Sequence, residues 1–358
     1  MRALIVEDGF QRGSLAAARA LGRAGWDVGI AAETAVGFAS TSRWTSETRV
    51  VPGPATDPDG FVAGVAAAVT AGGYDIVFPA GDGQLLALSR QRARIEAVFP
   101  YADHASVVRA HDKLELAAAA TRAGLNVPDE SGPGPFIVKP RLTVAPGVER
   151  LRAVAAPDRA AAERAAQELR AAGAEPAIQR AVPGRLLALV VVVDREGRFV
   201  ARVEQVASAV WPPQTGGSVR AETTVVDEEL AAGVHRLLRD LGWFGLAQVQ
   251  FVRADDGAAF LIDLNGRFYG SMALALAAGP NLPAIWAALA TGRDAPAGGD
   301  ARPGVRYQWL EADLRRIGPS ALRHAFRASH GLWRLDDPQP AGRHAIRLAG
   351  RLLRKAAT

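Results

Sequence analysis

The segment from Gly245 to Arg267 carries two apolar runs on either side of Asp256-Gly257. Asp-Gly between apolar runs is a strong hairpin signal. A two-residue turn there sets Asp255 across from Ala258, and each further pair keeps the same sum, so Gln250 falls opposite Asp263. Strand alternation then puts Asp263, Asn265 and, if the extension continues, Arg267 on one face. That face offers one carboxylate, amide oxygens and a guanidinium. Hard oxygen donors in that number suit Mg²⁺, which keeps several waters and borrows phosphate oxygens for the rest. An adjacent arginine suits a developing phosphoryl charge. Polar residues on the solvent side of a hairpin are ordinary, so the pattern alone leaves a plain solvated face open. Against it stand the apolar neighbours Val249, Phe251, Ile262 and Leu264, and the run from Phe268 to Gly279, which reads as buried. Polar groups beside that much apolar surface need partners.

A second signal is compositional. Lysine occurs three times, at positions 113, 139 and 355, against 39 arginines. Lysine is a compact ammonium on a thin stem, and arginine is a broad planar fork. A lysine kept under such a bias fits a narrow place, such as a phosphate oxygen inside a nucleotide cleft. Composition drift would also leave three lysines, and spacing alone does not separate the two readings.

The elements that must position these groups alternate at first between strand and helix. Arg2–Val6, Trp26–Ala31 and Tyr74–Pro79 read as strands and Ser14–Ala24 as a helix, which argues for a parallel α/β sheet. The first turn, Glu7 to Ser14, lacks the glycine spacing of a dinucleotide site and offers two carboxylates where a pyrophosphate would sit, so a dehydrogenase is disfavoured. His111–Ala123 reads as one helix with Gly124 as its cap. Strands at Phe136–Pro140, Ala177–Gln179, Leu186–Asp194, Phe199–Ala207 and Leu246–Val252 then mark a mixed antiparallel region. Pro157–Ala172 reads as a helix with its proline in the first turn. Asp227–Leu241 reads as a helix, and Asp294–Arg302 as a linker. The expected organisation is an α/β domain over 1–105, a two-lobed α+β domain over 106–300, and a basic helical tail over 301–358. Within the second, the lobes are expected at about 130–200 and 201–300.

Composition excludes several classes. There is no cysteine, hence no disulfide, thiolate nucleophile or Cys-zinc site. No apolar run approaches the roughly 20 residues of a membrane span. The N-terminus enters an apolar strand without a signal-peptide layout, and a cytoplasmic location is expected. The formal charge of +5 is uneven, with 12 basic and 4 acidic residues from 301 to 358. No nucleic-acid module accompanies it, so nucleic acid is not an expected partner. The tail places Arg343, Arg347 and Arg351 on one helix stripe. Docking of that helix on its own domain is favoured over peripheral membrane contact. The scattered histidines lack metal spacing, and Ser14 and Ser271 lack a His/Asp partner signature.

An ordered set of motifs resembles an ATP-grasp enzyme of the carbamoyl-phosphate-synthase-like and carboxylate–amine ligase branch. It consists of Asp112-Lys113, Ile137-Val-Lys139-Pro140, Ile178-Gln179-Arg180-Ala181-Val182-Pro-Gly184, Gln248-Val-Gln250-Phe251, and Asp263-Leu-Asn265-Gly-Arg267-Phe-Tyr-Gly-Ser271. Each motif is weak alone, but five in order over Met1 to Arg293 are specific. The resemblance implies a parallel α/β domain ahead of a two-lobed grasp. Lys113 and Lys139 would meet ATP phosphates, and Gln179, Arg180, Ala181 and Val182 would face adenine. Gln250, Asp263 and Asn265 would hold Mg²⁺, with Mn²⁺ as the alternative ion, and Arg267 would stabilise the transferring phosphate. The implied reaction activates a small-molecule carboxylate as an acyl phosphate, which an amine attacks. There are departures. Gln250 stands where an acid is frequent, Asp263 is shorter than the usual Glu, Gly266 replaces a proline, and Arg180 replaces an acid. No acid for the ribose follows Gly184, and Thr143–Gly147 is a poor phosphate flap. An ATP-binding protein with lost turnover is the alternative. The loop Pro212–Ser218 resembles an acceptor-site loop and equally a plain turn.

Overall fold

The computed structural model describes residues 1–142 and 151–356, with side chains up to 347. The expected flap at Thr143–Gly147 and the side chain of Arg351 lie outside the described residues.

The chain opens with β1 (Arg2–Glu7), α1 (Arg12–Arg23), β2 (Asp27–Ala32), β3 (Thr45–Val50), α2 (Pro58–Gly72), β4 (Ile76–Pro79) and α3 (Asp82–Arg90). The four strands form a parallel sheet in the order β3-β2-β1-β4. β1, β2 and β4 are apolar nearly throughout and buried, as strands covered on both faces must be. Two helices follow, α4 (His104–His111) and α5 (Lys113–Arg122). The single helix expected from His111 is broken. Asp112 leaves helical geometry, and its carboxylate accepts from the backbone N–H groups of Leu114 and Glu115. An N-cap aspartate starts a new helix by meeting donors that have no partner within it, and it makes Lys113 the first residue of α5.

A small antiparallel sheet comes next, from β5 (Phe136–Pro140), β6 (Val154–Ala156), α6 (Arg159–Ala171) and β7 (Pro176–Arg180), in the order β6-β5-β7. Phe136 and Val138 pack on Ala162, Ala166 and Leu169 of α6 in a separate core. Asp158 caps α6, so Pro157 lies ahead of the helix and not in its first turn.

The large sheet is built from β8 (Arg185–Val193), β9 (Phe199–Trp211), β10 (Gly217–Thr224), α7 (Glu228–Asp240), β11 (Gly245–Arg253), β12 (Ala259–Asn265), α8 (Met272–Ala278), α9 (Leu282–Ala290), β13 (Gly299–Asp300), β14 (Arg306–Gln308), α10 (Leu310–Ile317), α11 (Leu322–Ala325), β15 (Ser329–His330) and α12 (Gln339–Ala356). Its strand order is β12-β11-β8-β9-β10-β14-β15, with β13 beside β9. Two expectations change. β8 belongs to this sheet, so the lobe boundary falls at the β7–β8 link and not near residue 200. Residues after 301 are not a separate helical tail, because β14 and β15 extend the sheet and part of the expected linker is β13. Short strands among arginines give little period-two signal, which hid them.

One aromatic cluster joins the first domain to the large sheet. Trp286 packs edge-on against Phe78 and Tyr101, each at 4.9 Å between ring centroids, and against Phe268 at 5.7 Å. Its indole N–H donates to the Pro100 carbonyl at 3.0 Å. Edge-to-face pairs of this kind stabilise beyond their buried area. They hold the residue next to Phe268, Arg267, beside the end of β4. Among the described residues no single helix is long and apolar enough to cross a membrane.

Candidate functional site

The β11–β12 hairpin does bring Gln250 opposite Asp263 and Gln248 opposite Asn265. Its turn differs from the expectation. Ala254 N–H donates to Ala258 O at 2.8 Å and Gly257 N–H to Ala254 O at 3.0 Å, closing a three-residue loop of Asp255, Asp256 and Gly257. Gly257 has φ +92°, the left-handed conformation such loops require at their last position. This loop shifts the pairing by one residue. A bulge then shifts it back, because Phe251 faces Leu261, Gln250 faces Asp263, and Ile262 has no partner across the hairpin. The Ile262 carbonyl instead accepts from the Lys139 ammonium at 2.8 Å.

Around this bulge the charges are tightly matched. Lys113 Nζ lies 2.5 Å from Asp263 Oδ1. Burial works against the Asp263 charge, but Lys113 and Lys139 outweigh it and hold the carboxyl below its ordinary value. Lys139 is governed by burial, which pushes its ammonium down to about 8 despite the attraction of Asp263. Next along the strand, Asn265 donates to Gln248 Oε1 at 3.2 Å and accepts from Arg267 Nη2 at 2.9 Å. Arg267 forks onto Asp82, with Nε–Oδ1 at 2.7 Å and Nη2–Oδ2 at 3.1 Å. Burial alone would drive Asp82 neutral, but Arg267 holds it ionised, well below the usual carboxylate range. His111 Nε2 stands 3.5 Å from the same carboxylate.

A cleft of about 790 Å³ lies between the small sheet and the large one. Of the expected residues, Lys139, Gln179, Arg180, Ala181, Val182, Gln250 and Asp263 line it. Lys113, Asn265 and Arg267 do not. Lys113 is buried against Asp263, Asn265 is buried between Gln248 and Arg267, and Arg267 lines a second cavity of about 600 Å³ with Asp8 and Arg12 of the first domain. The loop after Trp211 is at the cleft, through Gln214, Thr215 and Gly216. Ile137, Leu186, Val252 and Ile262 supply apolar walls suited to a flat ring. The link from β7 to β8 passes through Gly184, at φ +153°, where a Cβ would meet the Arg253 carbonyl at 2.2 Å.

Sequence reading gave no role to three participants. Asp82 had a signal, the Gly81-Asp82-Gly83 turn at the end of a parallel strand, where open α/β sheets place ligands. Gln248 had its position two residues before Gln250. The Ile262 bulge had none.

The donor set can be tested for a divalent ion. Among the described residues no group of three His, Cys, Asp or Glu side chains is placed to hold a metal. Asp263 and the Gln250 amide oxygen fit one Mg²⁺ that keeps waters and takes phosphate oxygens. The Asn265 oxygen is already engaged by Arg267 and would have to be shared.

A small antiparallel sheet beside a large one, behind a parallel α/β domain, is an ATP-grasp-like fold. More particularly, residues 192–313 match the family described as ATP-grasp in the biosynthetic pathway with Ter operon. Solved structures agree on the fold. The biotin carboxylase domain of 2-oxoglutarate carboxylase from Hydrogenobacter thermophilus, with MgADP, ADP and bicarbonate, is 14% identical with a TM-score of 0.65, over 85% of this chain and 73% of that one. The ADP complex of N5-carboxyaminoimidazole ribonucleotide synthetase (purK) is 14% identical at 0.64, over 88% and 84%. The L-amino acid ligase from Bacillus licheniformis is 15% identical at 0.61, over 81% and 74%. No curated protein matches the sequence.

Proposed function

We propose that this protein is an ATP-dependent ligase that activates a carboxylate as an acyl phosphate and joins it to an amine. The observation that carries the reading is the arrangement around the bulged hairpin. Lys139, Gln250 and Asp263 line the cleft between the lobes, and Arg267, four residues beyond Asp263, lines a second cavity toward the first domain. ATP would lie in the first with adenine against Gln179–Val182, and the carboxylate would enter through the second. A carboxylate oxygen attacks the γ-phosphorus and ADP leaves. The amine then attacks the acyl carbon, loses a proton, and phosphate leaves. Charge is the obstacle in both steps, and positioned cations meet it. Lys139 would neutralise phosphate oxygens, Lys113 would set the orientation of Asp263, and Arg267 would meet the transferring phosphoryl group. Asp263, Gln250 and a shared Asn265 would hold Mg²⁺ or Mn²⁺, which supplies charge neutralisation when bound. The ADP and MgADP complexes of the similar structures support the nucleotide.

A second reading is an ATP-binding protein with little turnover. It is favoured by the single carboxylate on the metal face, Asp263, which already pairs with Lys113. The two separate on ADP release with Mg²⁺, pooled carboxylic acids and amino acids, with hydroxylamine to trap acyl phosphate. Ligase activity gives acid-dependent ADP and a hydroxamate. Tight ATP binding with neither product supports the second reading. If Lys139→Ala changed neither nucleotide binding nor turnover, both would fail.

A further inference from the structure

A third cavity, of about 640 Å³, lies beside the nucleotide cleft and is lined by Arg185, Arg220, Arg306, Arg323 and Arg327 together with a single acid, Glu222. Arginine is common in this chain, at 39 of 358 residues, but five of the thirteen lining residues exceed that share more than threefold. Two of the five are neutralised. Arg306 pairs with Glu222 at 2.8 Å and Arg220 with the buried Asp313 at 3.0 Å. Arg220 also lies 2.9 Å from the His324 ring nitrogen. Arg185, Arg323 and Arg327 make no ion pair or side-chain hydrogen bond among the described residues. Guanidinium groups gathered around one concavity repel each other, and an anion relieves that repulsion while taking their paired N–H groups in a fork.

The strand register separates this cavity from the metal face. Asp263 lies across from Gln250, Gln250 from Ala188, and Ala188 from Gln205. One residue on, Val206 lies across from Leu187 and from Glu222, and Glu222 from Arg306. Neighbouring residues of a strand point to opposite faces. The Glu222–Arg306 row therefore faces away from Asp263. The two cavities meet at Arg185, the first residue of β8, and at Ser208, which has no partner across β10.

We propose that this reverse-face cavity binds a small polyanion, one molecule bearing two or more phosphate or carboxylate groups, at the same time as nucleotide occupies the cleft. The site is distinct from the proposed ligase centre and does not need it to be active. Its test uses the full chain and two probes, inorganic pyrophosphate for the phosphate source and citrate for the carboxylate source, titrated by calorimetry with the cleft saturated by ATP. One equivalent of at least one probe is expected to bind, and which one identifies the source. Arg323→Ser/Arg327→Ser, at two exposed positions, is expected to weaken it at least tenfold and leave ATP binding unchanged. Lys139→Met is expected to weaken ATP and, titrated without nucleotide, to retain the probe. The proposal is overturned if neither probe binds, or if the double variant binds as the wild type does. It is overturned equally if Lys139→Met abolishes probe binding, which would assign the probe to the cleft. Failure of ATP to bind would sink both readings of the cleft, and the arginine-dependent probe signal, read without nucleotide, would still decide whether the third cavity binds a polyanion.

Discussion

Lys139 shows how a single side chain carries a pH dependence. Its ammonium is held at about 8 by burial, well under the roughly 10.4 of an exposed lysine. A phosphate contact needs the charged form, so ATP affinity should fall as pH rises through 8, by up to about tenfold per unit. Titrations from pH 7 to 9.5 check this, and Lys139→Met should give a flat profile. The stability effect has the opposite slope. Between about 8 and 10.4 the unfolded chain holds the proton that the folded one has lost, so this lysine makes stability rise with pH there. Asp82 acts through Arg267. Asp82→Asn keeps a hydrogen bond and removes the charge that fixes the guanidinium, and turnover is expected to drop about 10–100-fold. Nucleotide Kd should hold, because Asp82 does not line the cleft. An equal loss in Kd would show that Asp82 merely supports the fold. Short motifs placed Lys139 and Gln250, which line the cleft, but the same motifs gave Lys113 and Asn265, which do not. Asp82 and Arg267 are 185 residues apart, and no local pattern could pair them.

The hairpin repeats the lesson among elements. Asp256-Gly257 marks a turn, but a glycine in the left-handed region serves a two-residue and a three-residue loop equally well. The shift introduced by the longer loop is cancelled by the bulge at Ile262, so the Gln250–Asp263 pairing follows from a wrong turn and an unseen bulge together. Polar residues at 248, 250, 263 and 265 fix which face must meet, and the backbone takes up the slack. The β7–β8 link depends on Gly184 in a different way. Gly184→Ala drives a methyl into the Arg253 carbonyl and should displace Ala181 and Val182. The expected result is ATP binding weakened at least tenfold, with a loss of roughly 1–3 kcal/mol in stability from the strained backbone. Nucleotide titration and thermal unfolding would read the two separately, and unchanged ATP binding would remove the β7–β8 link from the site.

For the molecule as a whole, residues 301–347 are integral. Asp337 is fully buried and accepts from Arg19 Nε at 2.8 Å, Ser42 Oγ at 2.6 Å and Arg43 N–H at 3.0 Å. Burial opposes its charge, but these donors hold the carboxyl below its ordinary value. That contribution is present above the unfolded pKa and is lost as pH falls through the folded one. Asp337→Ala leaves Arg19 buried and unpaired, and should cost about 3–5 kcal/mol. Denaturant unfolding at pH 7 measures it, and the gap from wild type should narrow in acid. The start of α12 docks nearby, with His344 against the Phe38 ring at 5.0 Å and Arg347 over Phe10 at 3.8 Å. The helix was legible in the sequence. Its seat was not, because the contacts come from two loops about three hundred residues earlier.

The position of β14 has a consequence for synthesis. β10 is complete at residue 224, but the strand that covers its outer edge begins at Arg306. At about 5–20 residues per second, the ribosome leaves that edge bare for roughly 4 to 16 s. An uncovered edge is a template for another chain. A chain stopped at residue 300 should therefore aggregate at concentrations where the full chain stays monodisperse, which light scattering would show. Supplying a segment spanning 301–347 in trans should rescue it if the bare edge is the cause.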